Sequence, residues 1–378
     1  MLFNDILFEQ MFDYWSKTMQ NEIDVMIIRG GSSKGYFFRA DDLPDDIALR
    51  DEILLSVIGR DSRQIDGLGG AHPLTSKVAI VGISKEKDID VDYLFIQVVV
   101  GENRVDSTPN CGNILSGVGA FAIERGFIKV KEDLTVIRVN MVNSNKVCEL
   151  TMQTPNGEVE YEGDTKIDGV PGRAAPVICH YLDTAGSICG SLFPTGAYTN
   201  TINGINVTCI DNGMPVVVIR AADLGKSGYE SCEELSEDLD LKKTIEDIRL
   251  KAGLMMGLGD VSDKVIPKMT LIAPPKDAGN ICTRTFIPHT CHASIGVLGA
   301  VSVSTACIFP DSVAYEISIV PDGLNKKMSV EHPSGEFTVE LKCEHINGKL
   351  TVEKAGLIRT TRLLCTGKAY YSTLQKIG

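Results

Sequence analysis

The chain predicts an α+β fold built twice, as two similar domains that are each a mainly antiparallel sheet wrapped round one central helix. Three observations lead there. Short apolar strands follow one another closely from residue 25 onward, which favours antiparallel pairing. Two segments, 113–122 and 294–306, carry no charge and are small or apolar all round, and a helix without a polar face has to be enclosed by protein. These segments lie about 180 residues apart, each begins within three positions of a cysteine (Cys111, Cys291), and each repeats a glycine spacing ending in Gly-Ala (Gly119-Ala120, Gly299-Ala300). That self-similarity is the mark of a duplicated unit.

The elements follow in order. Residues 1–24 mix acidic, aromatic and aliphatic side chains and read as an N-terminal extension or a short amphipathic helix, with no secretory signal. Strands at 25–28 and 36–38 flank Gly30-Gly31-Ser32-Ser33-Lys34-Gly35 and make a hairpin with a glycine tip. Residues 44–59 form an amphipathic helix with Pro44 in its first turn. Strands are expected at 78–83 and 93–100, then two more within 135–153, joined at Asn143-Ser144-Asn145. Glycines and a proline in 183–194 mark the joint, and 233–255 is a helix with one charged face. The expected domains are therefore 25–187, completed by 362–378, and 188–361.

Composition removes several function classes. Fifty acidic residues against 37 Lys and Arg give a formal charge of -13, which repels nucleic acid and anionic lipid. The apolar stretches fall short of the roughly 20 residues of a membrane span. Eleven cysteines without Cys-x-x-Cys spacing read as reduced thiols of a cytoplasmic protein. The first strand is not followed by Gly-x-Gly-x-x-Gly, and with no nucleotide, flavin, pyridoxal or metal motif in the chain, no cofactor and no metal are expected. His289, Cys291 and His292 lack companions at zinc spacing.

Three segments can carry chemistry. Asp66-Gly67-Leu68-Gly69-Gly70-Ala71-His72-Pro73-Leu74-Thr75-Ser76-Lys77 is rich in glycine and ends in a lysine at the edge of a strand. Exposed backbone N–H groups in such a loop can cradle an anion, and the amine can carry a proton; a plain surface loop is the alternative. Asn110-Cys111-Gly112-Asn113 opens the first enclosed helix, where unpaired N–H groups and the positive end of the macrodipole favour a thiolate. Arg284 and Ser294 flank the start of the second, the guanidinium suited to a carboxylate and the hydroxyl to an N-cap.

These motifs, with Thr75-Ser76-Lys77-Val78-Ala79-Ile80-Val81, resemble the PrpF-type isomerases over about residues 25–371. Within them, Gly70-Ala71-x-Pro73-Leu74-Thr75-Ser76-Lys77, Ile210-Asp211-Asn212-Gly213-Met214-Pro215 and Phe286-Ile287-Pro288-His289-x-Cys291-His292-Ala293-Ser294 are similar to the 4-oxalomesaconate tautomerases of gallate breakdown, although His72 stands where an Asp is expected. The resemblance implies a diaminopimelate-epimerase-like fold with its site in the cleft between two domains. It also implies that Lys77 transfers a proton, that Cys111 is its partner in the site, and that Ser32, Ser33, Gly69, Gly70, Ser76, Asn113, Arg284 and Ser294 contact substrate carboxylates.

The chemistry so implied moves a proton and a C=C bond in a small unsaturated di- or tricarboxylate, with 4-oxalomesaconate first and 2-methylaconitate or methylitaconate as alternatives. A lysine base must be held partly out of water or beside another cation. Two rivals stay open. One is a two-thiol racemase using Cys111 and Cys291, and the other a non-catalytic carboxylate-binding accessory protein. The expected partner is a small polycarboxylate, and a homo-oligomer is compatible with the sequence.

Overall fold

Strand β1 (Asn21–Gly30) starts inside the segment expected to be an extension, because Ile23 and Val25 alternate inward and its whole length is paired antiparallel with residues 361–371. The computed structural model describes residues 20–130, 132–346 and 348–372, so the rest of that extension lies outside the described residues. Gly31, at φ +52°, turns the chain into β2 (Ser33–Arg39), antiparallel to β1 and closed by the Gly30–Ser33 pair. Helix α1 (Ile47–Ile58) begins after Pro44 rather than on it, since the Asp46 carboxylate accepts from the Leu49 N–H at 2.9 Å and caps it. There follow β3 (Lys77–Ile83), β4 (Val91–Val98), the short β5 (Val105–Asp106), α2 (Gly112–Leu115), α3 (Val118–Glu124) and β6 (Leu134–Met141).

In this first unit the sheet runs β6, β4, β3, β2, β1 and then residues 361–371, with β2–β3 and β4–β6 parallel and the remaining pairs antiparallel. Alternation along β2 sorts the two faces. Tyr36 and Phe38 join Val78, Ile80, Leu54 and Ile58 in the layer under α1, while Phe37 points the other way and meets Phe121 of α3 with ring centroids 5.8 Å apart. The helix expected at 113–122 is two helices, because Ser116 and Gly117 bond back three residues to Asn113 and Ile114. Gly117 cannot be larger: a Cβ there would lie 2.8 Å from the Phe37 ring and 3.0 Å from Ile28.

The second unit contains β7 (Lys146–Gln153), β8 (Pro176–Tyr181), β9 (Asn200–Ile202), β10 (Ile205–Asp211), β11 (Pro215–Arg220), α4 (Cys232–Glu237), α5 (Leu239–Met255), β12 (Lys268–Ala273), β13 (Ile281–Phe286), α6 (Val297–Cys307), β14 (Asn325–His332), β15 (Gly335–Ile346) and β16 (Lys349–Tyr371). Its strands follow the order β7, β8, β16, β15, β14, β13, β12, β11, β10, β9, mainly antiparallel. Helix α6 is buried continuously from Gly299 to Cys307, as its charge-free sequence requires. The other face of β11–β13 is covered by α5, through Leu241, Ile245, Ile248 and Ala252 against Val217, Ile219 and Leu271. The expected helix 233–255 breaks at Asp238, whose carboxylate accepts from Leu241 N–H and starts a new helix.

The units divide at Tyr161 and Glu162, with 146–153 in the second and 154–161 in the first, whereas the sequence placed the joint in 183–194. Strand β16 serves both, and its residues from Thr361 belong to the first unit. Among the described residues no helix is long and apolar enough to cross a membrane.

Candidate active site

Lys77 is the first residue of β3 and pairs with Gly35 of β2 on one side and Gln97 of β4 on the other. Its side chain therefore rises on the sheet face that carries Phe37, Phe95 and Tyr93, the face packed on α2 and α3. It is 9% exposed. The Nζ donates to Gln97 Oε1 at 2.7 Å and sits 5.1 Å from the centre of the Phe95 ring. Gln97 in turn donates to the carbonyls of Pro73 and Ser76, tying the glycine-rich loop to the lysine it delivers.

Cys111 occupies the N-cap of α2 and is half-buried. Its carbonyl accepts from Tyr93 Oη at 3.2 Å, so the strand that holds Lys77 also holds the start of this helix. Gly35, the cross-strand neighbour of Lys77, would clash with Ile114 at 2.7 Å if it bore a Cβ. Lys77 and Cys111 thus open on the same face of one sheet. The helix has four residues, so its dipole is small and the thiolate argument from a long helix does not apply to Cys111.

The hairpin tip reaches the same helix start. Asn113 Nδ2 donates to Ser32 Oγ at 3.2 Å, and a Cβ on Gly30 would stand 2.4 Å from the Asn113 carbonyl oxygen. Close approach of backbone to backbone is what the glycines supply. Ser33 lies beneath, its hydroxyl buried without a hydrogen-bond partner. Ser32 and Asn113 are therefore brought together two residues beyond Cys111, and Ser33 and Lys77 lie on the two strands that flank this helix start.

Two other predicted contacts are used internally. The Gly69 N–H bonds to the Ile58 carbonyl at 2.8 Å, and Ser76 is fully buried with its hydroxyl on Gln64 Oε1 at 2.6 Å. Ala71 N–H also bonds to Gln64, and Leu68 N–H to Val57. The N–H groups of Leu68, Gly69 and Ala71 thus hold the loop itself, which leaves fewer of its backbone donors for an anion than the glycine content suggests. Gly70 remains exposed.

In the second unit, Arg284 is buried at 6% exposure on β13. It donates to the carbonyls of Glu230 at 2.7 Å and Thr283 at 2.9 Å and lies 3.5 Å from Cys282 Sγ. All of these partners are neutral, and the guanidinium lines a cavity of about 410 Å³ with Lys276, Glu331 and His332. The Glu331 carboxylate is occupied by the N–H groups of Lys276, Asp277 and Gly279. Ser294 precedes α6 by three residues and is not its N-cap, a position held by Gly296; its N–H goes to His292 Nδ1. Its Oγ lies 3.3 Å from Nε2 of His332, a residue the sequence reading passed over.

His289, Cys291 and His292 go separate ways. His289 is 3.6 Å from Glu246, His292 accepts from Ser294, and Cys291 is buried beside Cys232. Burial, with the Cys232 thiol beside it, pushes Cys291 up to about 12. A thiol so far above neutrality is a poor second base, which weakens the two-thiol racemase.

The model of the PrpF protein family matches residues 20–372. The chain is 53% identical to the 4-oxalomesaconate tautomerase of Pseudomonas putida over 92% of its length and 96% of that protein. It is 52% identical to the (4E)-oxalomesaconate Delta-isomerase of Novosphingobium sp. (strain KA1), covering 91% and 96%. A crystal structure of methylitaconate-delta-isomerase superposes with a TM-score of 0.84 at 32% identity, covering 95% of this chain and 98% of the other. A family model matched from residue 20 to 372, and relatives more than half identical over nine-tenths of both chains, lead to one conclusion: this chain belongs to the PrpF protein family.

Proposed function

We propose that the protein is an isomerase that tautomerises 4-oxalomesaconate without a cofactor, in the cytoplasm, with Lys77 carrying the proton and Cys111 as its partner. What supports this reading is that Lys77, held by Gln97, rises on the sheet face against which the helix begun at Cys111 packs, with the Cys111 carbonyl held by Tyr93. In the step proposed, the free amine of Lys77 takes a proton from the carbon beside the keto group. The C–H electron pair becomes the new C=C bond, the C=O pair moves to oxygen, and that oxygen is protonated by Cys111 or solvent. Neutral donors aimed at the developing enolate and carboxylates lower the barrier by electrostatic preorganisation. Ser32, Ser33, Asn113, the exposed Gly70 backbone, Arg284 and Ser294 are the proposed carboxylate contacts, whereas Gly69 and Ser76 hold the loop. Identities of 53% and 52% to the oxalomesaconate enzymes, against 32% to methylitaconate-delta-isomerase, favour the first substrate.

The test is proton NMR in deuterated buffer with 4-oxalomesaconate, 2-methylaconitate and methylitaconate in turn. Rapid exchange and conversion of 4-oxalomesaconate are expected. Lys77→Ala should lose about 10²–10⁴ in rate with its fold intact, the range for a positioned acid or base. Turnover of that variant near the normal rate would refute the role of Lys77, and no exchange with any acid would favour a binding protein.

A further inference from the structure

Strand β14 ends at His332 and β15 begins at Gly335, so Pro333 and Ser334 form a two-residue turn. That turn is anchored from outside: Asp168 Oδ2 accepts the Glu336 N–H at 2.6 Å. Gly335, at φ +142°, leaves no room for a Cβ beside the same carboxylate. The anchored turn fixes His332, 9% exposed, with its ring 4.9 Å from Phe337, whose other contact is the Arg359 guanidinium at 4.4 Å. Held this way, the imidazole meets a hydroxyl at each nitrogen. Nε2 is 3.3 Å from Ser294 Oγ and Nδ1 is 3.3 Å from Ser334 Oγ. Nothing in the proton transfer proposed above uses this array, yet His332 lines the cavity that holds the Arg284 guanidinium.

We propose that Ser334, His332 and Ser294 form a directional hydrogen-bond relay, in which His332 is a positioning residue that aims the Ser294 hydroxyl at a carboxylate of the substrate. The proposal rests on the reading of Ser294 as a carboxylate contact. A carboxylate can accept but not donate, so Ser294 must give its O–H to the ligand. Its oxygen is then free to accept, and the Nε2–H tautomer of His332 is the donor that satisfies it. Nδ1 is left as an acceptor and takes the Ser334 proton. Each bond polarises the next toward the anion. The competing contact of the Ser294 hydroxyl, to the Ile295 carbonyl, is long at 3.5 Å. A neutral imidazole suffices, and burial favours the neutral ring.

The experiment is steady-state kinetics of the full chain with 4-oxalomesaconate for five proteins: wild type, Ser294→Ala, His332→Phe, His332→Gln and the double variant Ser294→Ala/His332→Phe. His332→Phe should raise KM about tenfold while kcat changes less than about threefold, and Ser294→Ala should do the same. The double variant should be no worse than either single one, because one relay is being broken twice. His332→Gln, whose amide can stand in for the Nε2 donor, should recover most of the loss. Circular dichroism and a thermal melt check folding, and if His332→Phe does not fold, His332→Gln against Ser294→Ala carries the comparison. An unchanged KM in His332→Phe, or additive losses in the double variant, would overturn the relay and leave the carboxylate contact standing. An unchanged KM in Ser294→Ala would overturn both, and an inactive wild type would overturn the substrate reading first.

Discussion

Lys77 and Gln97 face each other across β3 and β4, with the lysine Nζ 2.7 Å from the amide oxygen. The pairing aims the amine through a neutral amide, and the amide's nitrogen holds the end of the loop that precedes the lysine.

Removing that partner should cost rate before stability. Gln97→Ala is expected to lower kcat about tenfold, since the amine loses its aim. Gln97→Glu turns the contact into an ion pair, which holds the amine protonated, so its rate should fall further and its pH optimum move to the alkaline side. A pH–rate profile of both variants checks this, and identical profiles would remove Gln97 from the mechanism.

Gly30 separates the hairpin from the Asn113 backbone, and a Cβ there would stand 2.4 Å from the carbonyl oxygen. Gly30→Ala should destabilise the first unit by about 1–3 kcal/mol through overpacking and lower activity by shifting the tip against Cys111. Urea denaturation with parallel kinetics measures both effects; a variant of normal stability and rate would contradict the contact.

Arg249 is fully buried on α5, paired with Glu246 and bonded to the carbonyls of Lys264 and Ile266. Arg249→Leu should cost about 3 kcal/mol, because buried acceptors lose their donor. The drop would appear in the unfolding midpoint, with KM of any folded enzyme unchanged.

Burial pushes His332 down to about 4, with Arg359 and His292 acting in the same direction and Asp168 and the Glu336 backbone opposing. Between about pH 6.5, the ordinary histidine value, and about pH 4 the unfolded chain binds a proton that the native ring refuses. Stability should fall as pH drops through that window, by about 2 kcal/mol after allowance for residual solvent screening. Above the window this term is flat. Denaturation of wild type and His332→Gln at about pH 7.5 and about pH 4.5 tests it: the acid-induced loss should be smaller in the variant, and equal losses would exclude His332 as the cause.

Much of this protein was legible in local pattern. Charge-free helices announced their burial, β-alternation placed the strands, and loop glycines next to Lys77 and Cys111 pointed to the segments proposed for the chemistry, because burial periodicity and backbone freedom are properties of neighbouring residues. Pattern misled where a distant partner intervened. Nothing near 113–122 reveals that Phe37 and Ile28 leave no room for a side chain at Gly117, where the helix breaks. The Gly69 and Ala71 N–H groups look like free donors until Ile58 and Gln64 take them, and Gln97 and His332 look like ordinary strand residues until register sets them beside Lys77 and Ser294. Sequence alone determined which side chains are available and where the burial falls. Which of them meet was decided by strand register and packing, since those depend on residues tens to hundreds of positions away.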